Sequence, residues 1–357
     1  MVPGVVAMAA SPDGIVYAGS AGLNQDTIFA IASMTKPVTS VALMQLVEEG
    51  KVQLDEPASA YLPELANVKV IENGKLRQPK SPITVRQLLT HTAGYGYEFM
   101  NRQLFDAVGK GRLKSMMAGG DAFLQAPLLF DPGARWEYGI NTDWLGKLVE
   151  RVSGESLDVY FKRKIFEPLG MQDTFFTVPA GKKARMARLH QRKEDGSLAS
   201  QPEAPSINSG SFLSGGGGLF STASDYLRFA RALMGGGALE KGRILKPESV
   251  EEMGRNQIGE LSIRPFASLI PSLATDNAAL PGNLDKFGLG FALNSKPIEN
   301  GRGANTMAWA GIFNTFFWID REKQVCAVLM TQMSPGLDSG PKRLLEDFDR
   351  AVYAWLK

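Results

Sequence analysis

Past Pro37, the chain carries Val38, Val41, Ala42, Leu43, Leu46 and Val47 before Gly50, a helical pattern that is apolar around much of its circumference. Such a helix is expected to be buried. The groups at its beginning, Ser33 and Lys36 in Ser33-Met34-Thr35-Lys36, are expected at a buried helix end. Residues three apart share a helix face, about 5–6 Å apart at Cβ, so the lysine nitrogen can reach the serine hydroxyl. Serine is a poor nucleophile until its proton is removed, and a base one turn away can remove it. A helix N-terminus also presents unpaired N–H groups and a positive dipole, which favour negative charge near Ser33. The bare string is short, and a helical serine followed by a solvent-facing lysine is the alternative it leaves open.

Two distant segments bear on that choice. Pro132-Gly133-Ala134-Arg135-Trp136-Glu137-Tyr138-Gly139 is a turn with a tyrosine ahead of a helical run over 143–152. Trp309-Ala310-Gly311-Ile312 ends one strand-like segment before another begins at Asn314. With Ser33 and Lys36, and with the stretches Leu88-Leu89-Thr90-His91-Thr92-Ala93-Gly94 and 215–225, this order and spacing resembles the serine β-lactamase and penicillin-binding protein superfamily. Within it the chain looks most like the class C-like carboxylesterases, family VIII, over nearly its whole length. The resemblance implies that Ser33 is the acyl-accepting nucleophile, Lys36 its proton acceptor and Tyr138 the tyrosine that relays a proton to the leaving group. It also implies an oxyanion hole from the backbone N–H groups of Ser33 and Ile312. A lysine that serves as base has to be neutral, which calls for desolvation or a neighbouring dipole or cation. Whether Lys36 or Tyr138 takes the first proton stays open.

The chain departs from the pattern of these relatives in two places. Many have Tyr-x-Asn, whereas here Ile140 holds the third position and Asn141 comes one place late. Lactam-recognising members carry Lys-Thr-Gly where this chain has Trp309-Ala310-Gly311. An indole brings one N–H donor and no charge, so esters without a carboxylate become the favoured substrates. Trp309 reads either as a pocket wall or as a core aromatic on a sheet.

Other chemistries find less support. There is no G-x-S-x-G, no H-E-x-x-H and no Cys/His cluster, so neither a nucleophile elbow nor a zinc site is expected. Of the two histidines, His91 follows apolar Val85, Leu88 and Leu89 and reads as structural, while His190 lies among Arg188, Arg192 and Lys193 and reads as exposed. The run Gly215–Gly218 lacks the Gly-Lys-Ser/Thr ending of a phosphate loop and better fits a close backbone approach at the site floor. Tyr95 and Tyr97 either line the pocket or pack in the core.

With 39 basic and 37 acidic residues the net charge is +2, which gives no general attraction to nucleic acid or membrane. The basic run over 182–193 reads as a solvated face. The single cysteine, Cys326, lies in an apolar strand and permits no internal disulfide. No apolar run is long enough for a transmembrane helix, and the opening apolar stretch lacks a basic region before it, so a cytoplasmic location is expected. That stretch reads as a strand turned at Ser11-Pro12-Asp13-Gly14 into a second. Relatives usually carry a helix ahead of it, for which Met1 leaves no room, so the expectation is a shortened or unusual start with one sheet face beside the last helix (342–356) short of a partner.

Further strands are expected over 287–293, 306–311, 314–319 and 325–333, with a tight turn at Asp320-Arg321-Glu322-Lys323. The fold class inferred is α+β: an antiparallel sheet flanked by helices, from residues 1–55 and 213–357, with a mostly helical lobe, 56–212, inserted between them. Residues 260–283 read as a long loop that forms a lid, a pocket wall or a plain surface excursion. The function expected is a serine carboxylesterase acting on short-chain small-molecule esters through an acyl-enzyme, without cofactor, metal, nucleic acid or membrane. Lactamase, peptidase, amidase and acyltransferase chemistry of the same superfamily are the enzymatic alternatives, and a sensor without turnover is the non-enzymatic one.

Overall fold

The structure is a computed structural model that describes residues 2–201, 206–265, 267–276 and 281–356. Its centre is a seven-stranded sheet built from both ends of the chain: β1 (Val5–Ser11), β2 (Gly14–Ala21), β3 (Lys286–Phe287), β4 (Ala292–Leu293), β5 (Met307–Gly311), β6 (Thr315–Asp320) and β7 (Val325–Met330). The spatial order is β3-β4-β5-β6-β7-β1-β2, and each neighbouring pair is antiparallel. The two N-terminal strands thus sit beside the C-terminal hairpins.

Both faces of β6 and β7 are covered, which is why these strands are apolar at nearly every position and not in alternation. Phe317, Ile319, Cys326 and Val328 face the main core, while Phe316, Trp318, Ala327 and Leu329 face Leu345, Val352 and Tyr353 of the last helix, α4 (Ser339–Trp355). Helix α3 (Ala223–Met234) packs on β7, β1 and β6. Helix α1 (Thr35–Glu48) is buried from Thr35 to Leu46 and packs against α2 (Asn141–Ser153), as its apolar circumference demands. Burial pushes the Cys326 thiol up to about 12, so it behaves as a small apolar residue. No helix among the described residues is long and apolar enough to cross a membrane.

The stretch 56–212 places no described residue in this sheet. It is built from α2, Val85–Leu89, Arg102–Gly109, Leu157–Phe161 and several single turns, and it also carries two hairpins, Val70–Glu72 with Lys75–Arg77 and His190–Arg192 with Leu198–Ser200. Four expectations need correction. The apolar run 287–293 is not one strand, because Gly290 takes a φ of +92° and Gly288 N–H bonds to Phe291 C=O, turning the chain into a hairpin between β3 and β4. The strand expected over 325–333 ends at Met330, and Met333–Ser334 pairs instead in parallel with His190 and Gln191. That pairing leaves His190 half-buried where exposure was expected. Within the basic run, Lys182 and Arg185 are tied to Asp173 and are not a freely solvated face.

Candidate active site

The chain reaches Ser33 under strain. Ala32 has a φ of +42°, unusual for a residue with a side chain, and Ala32–Met34 forms a single 3-10 turn that leads into α1. Ser33 lies in this turn, half-buried, and Lys36 lies in the first turn of α1, 2% exposed. The lysine ammonium position is fully bonded: Nζ donates to Ser33 Oγ at 3.2 Å, to Tyr97 OH at 2.9 Å and to Gly216 C=O at 2.7 Å. A solvent-facing lysine is excluded.

Each of those partners arrives for a local reason. The turn before α1 is held by Tyr226 OH on Met34 C=O and by Thr35 Oγ1, which accepts from Leu219 N–H. The glycine run beyond is pressed against α1 and α2. Thr39 Oγ1 donates to Gly215 C=O, and a Cβ on Gly215, Gly216 or Gly218 would come within 3 Å of Thr142 C=O, Asp143 Oδ2 or Asn208 Oδ1. Close approach, not phosphate binding, is what these glycines permit.

From the sheet, β5 ends beside Ser33. Gly311 has so little room that a Cβ there would lie 2.3 Å from Ile31 C=O and from Thr315 Oγ1. Ile312 and Phe313 follow in a three-residue hairpin loop closed by Asn314 at a φ of +61°, which aims the end of β5 at the serine turn. Trp309 is both a buried aromatic on the sheet and a wall of the pocket. Its Nε1 donates to Tyr138 OH at 3.4 Å, and the two rings lie 5.0 Å apart, edge to face. The ring of Tyr138 also lies under Lys36 Nζ, 4.7 Å from its centroid.

Ser33, Tyr138, Trp309, Gly311 and Ile312 therefore line one cavity of about 240 Å³, with Lys36 behind its floor. The rest of the lining includes Phe99, Met100, Met116, Ile207 and Leu273, and among the described residues no charged side chain lines it. Ala267, Ser268 and Leu273–Thr275 make the expected 260–283 loop a pocket wall, while residues 266 and 277–280 of that loop lie outside the described residues. A larger, open groove of about 1490 Å³ lies along residues 62–76, 103–113 and 121–156. It is lined by paired charges such as Lys147 and Asp121 and does not contain Ser33.

Asn141 is not among the hydrogen-bond partners of Lys36 Nζ and does not line the cavity. Its Nδ2 lies 2.8 Å from His91 Nδ1, and Ile140 is buried in the core. His91 is structural, sealed among Trp136, Tyr138 and Phe287. Two groups were missed or left undecided by sequence reasoning. Tyr97 bonds directly to Lys36, although only its glycine-flanked loop hinted at a special backbone path. Asp143 is a fully buried carboxylate in the first turn of α2, where an acidic residue reads as an ordinary helix-start preference.

Burial dominates the electrostatics. It pushes the Tyr97 phenol well above its usual range, with Tyr138 adding to the effect, and pushes the Asp143 carboxyl up against the opposing pull of Lys36. Burial, then the nearby Lys36 charge, holds His91 well below the usual imidazole range, so it stays neutral in the fold. The unfolded chain takes up that proton below about pH 6.5, and stability is lost as pH falls from there toward the depressed native value. Relative to a His91→Asn variant, whose side chain tolerates the left-handed φ of +57° at this position, the native protein should lose about 1.2 kcal/mol between about pH 6 and 5. Denaturant melts of both proteins across that range check this; parallel curves would contradict it.

A family model described as Beta-lactamase matches residues 1–351 of the chain. The monacolin J acid methylbutanoyltransferase of Aspergillus terreus is 32% identical over 348 residues, covering 93% of this chain and 83% of that protein. The lovastatin esterase of Penicillium rubens is 30% identical, covering 85% and 79% respectively. Among solved structures, unliganded simvastatin synthase from Aspergillus terreus superposes with a TM-score of 0.83 at 29% identity, covering 99% of this chain and 94% of that one.

Proposed function

This chain belongs to the β-lactamase family, and on that premise we propose that it is a serine acyl-transfer enzyme that takes a short acyl group from a small-molecule ester onto Ser33 and passes it to an apolar alcohol, with water as the competing acceptor. The observation that carries this reading is the lining of the cavity over Ser33: aromatic and methionine side chains, no charged group among the described residues, and at Trp309 an indole, which brings one N–H donor and no charge.

In the first step Ser33 Oγ attacks the ester carbonyl and its proton passes to the cluster of Lys36, Tyr97 and Tyr138; the C–O bond to the leaving alcohol breaks, and that alcohol takes a proton back. The backbone N–H groups of Ser33 and Ile312 receive the oxyanion. In the second step an acceptor hydroxyl repeats the sequence in reverse and frees the serine. Water is small and polar and gains nothing from this lining, whereas an alcohol with an apolar body buries surface worth about 25 cal/mol per Å². The relatives named as a methylbutanoyltransferase and as a simvastatin synthase support the acyl-transfer reading. The relative named as an esterase favours a second one, a carboxylesterase that delivers the acyl group to water.

Product analysis separates the two. With a short activated ester and a graded series of alcohols, new ester should form in proportion to the apolar size of the acceptor, at the expense of free acid. Acid alone with every acceptor would establish the esterase reading instead, and a β-lactam turned over faster than the ester would overturn both.

A further inference from the structure

We propose that Asp143 is a positioning residue of this site: an ionised, buried counter-charge to Lys36 that also fixes the Gly216 carbonyl on the lysine nitrogen. The inference rests on the reading of Ser33 as nucleophile and Lys36 as part of its proton acceptor.

Asp143 is 1% exposed. Its Oδ1 accepts from Ser214 Oγ at 2.5 Å and from Gly216 N–H at 3.0 Å, while its Oδ2 is buried without a hydrogen bond. A carboxylate in such a place is costly unless a charge answers it. The cation that acts on it is Lys36, and the two are joined through one residue: Gly216 gives its N–H to Asp143 and its C=O to Lys36. Three acceptors around Lys36 Nζ match the three donors of an ammonium group, which itself calls for a balancing charge. Gly216 has to be glycine for this, since a Cβ would strike Asp143 Oδ2 at 2.4 Å.

The other titratable groups that face Lys36 are Tyr97 and His91 from the segment after Val85–Leu89 and Tyr138 from the turn ahead of α2. Among the groups that face the lysine, Asp143 is the carboxyl, and it is joined to Lys36 through the two ends of Gly216. Its carboxylate would hold the proton on the cluster in the resting enzyme and so set the pH at which Ser33 can give its own proton away.

Asp143→Asn keeps the acceptor for Ser214 and Gly216 and removes the charge, placing an amide nitrogen where Oδ2 now lies without a partner. The acidic limb of the pH–rate profile for Ser33 acylation by an activated ester should move down by about one to two pH units, with the plateau rate falling several-fold. A limb that stays in place would overturn the proposal, since a purely structural Asp143 would scale the profile without moving it. Melting temperatures of the native protein, Asp143→Asn, Lys36→Met and the double variant give a second readout that does not need activity. Asp143→Asn should destabilise the native protein and stabilise Lys36→Met, where the carboxylate is left unanswered; recovery of folding in the double variant counts as the same result. Equal effects in both backgrounds would overturn the counter-charge. Because the cycle reads stability alone, it stands even if Ser33→Ala still turned over ester, an outcome that would sink the nucleophile reading and not this pairing.

Discussion

Lys36→Met should lower the rate of Ser33 acylation by about 10³-fold or more. Lys36 Nζ touches the serine oxygen directly, and among the described residues the variant leaves Ser33 with no nitrogen base at this site, its remaining neighbours being phenols, an indole and backbone. The substitution preserves chain length and apolar bulk in a helix buried on all sides, so α1 itself should persist. The damage lies in what surrounds it. Tyr97 OH and Gly216 C=O each lose a donor, and Asp143 loses its opposing charge. A cost of about 3 kcal/mol in stability near neutral pH follows from breaking a buried charge pair on one side only. The Asp143 carboxyl, already pushed up by burial, should then take up a proton more readily. The folded state would thereby bind a proton that the unfolded chain has released, so the stability deficit should shrink as pH falls toward the unfolded carboxyl range near 4. Stopped-flow acylation with an activated ester and melts at two pH values measure both effects. Acylation within tenfold of native would show that Lys36 is not in the proton path.

Local features account for what is legible in the amino-acid sequence. The burial of α1 follows from its own periodicity, and the contact of Lys36 with Ser33 from their spacing. The sheet is legible because β6 and β7 are apolar without interruption, and the turn at 320–323 because Asp320 caps it through Lys323 N–H. Tyr138, Trp309, Gly311 and Ile312 are legible only through resemblance, since nothing in their own surroundings shows that they meet in one cavity. The groups that escape are those whose role depends on long-range approach. Tyr97 lies 61 residues from Lys36 and Gly216 lies 180 away, and neither a tyrosine in a glycine-rich loop nor a glycine in a run of four announces its partner. Asp143 is hidden by a rule that is correct elsewhere, the preference for acidic residues at helix starts, which here coincides with full burial. The hairpin between β3 and β4 reads as one strand because apolar content outweighs Gly290, whose positive φ decides the local path.

The substitution with the greatest expected effect is Ser33→Ala. It removes the atom to which the acyl group would attach and leaves the rest of the cavity, including the backbone N–H groups and the apolar lining, in place. Turnover should fall by about 10⁴-fold or more, with binding and the oxyanion donors sustaining only a residue of activity. Ser33 is half-buried, and its hydroxyl accepts a hydrogen bond from Lys36, so the melting temperature should change little. Intact mass after brief incubation with an activated short-chain ester tests the account most directly. The native protein should gain the mass of one acyl group and lose it again when an alcohol acceptor is added, while Ser33→Ala gains none; a Ser33→Ala protein that is acylated, or that turns over the ester, at a rate near the native one would contradict it.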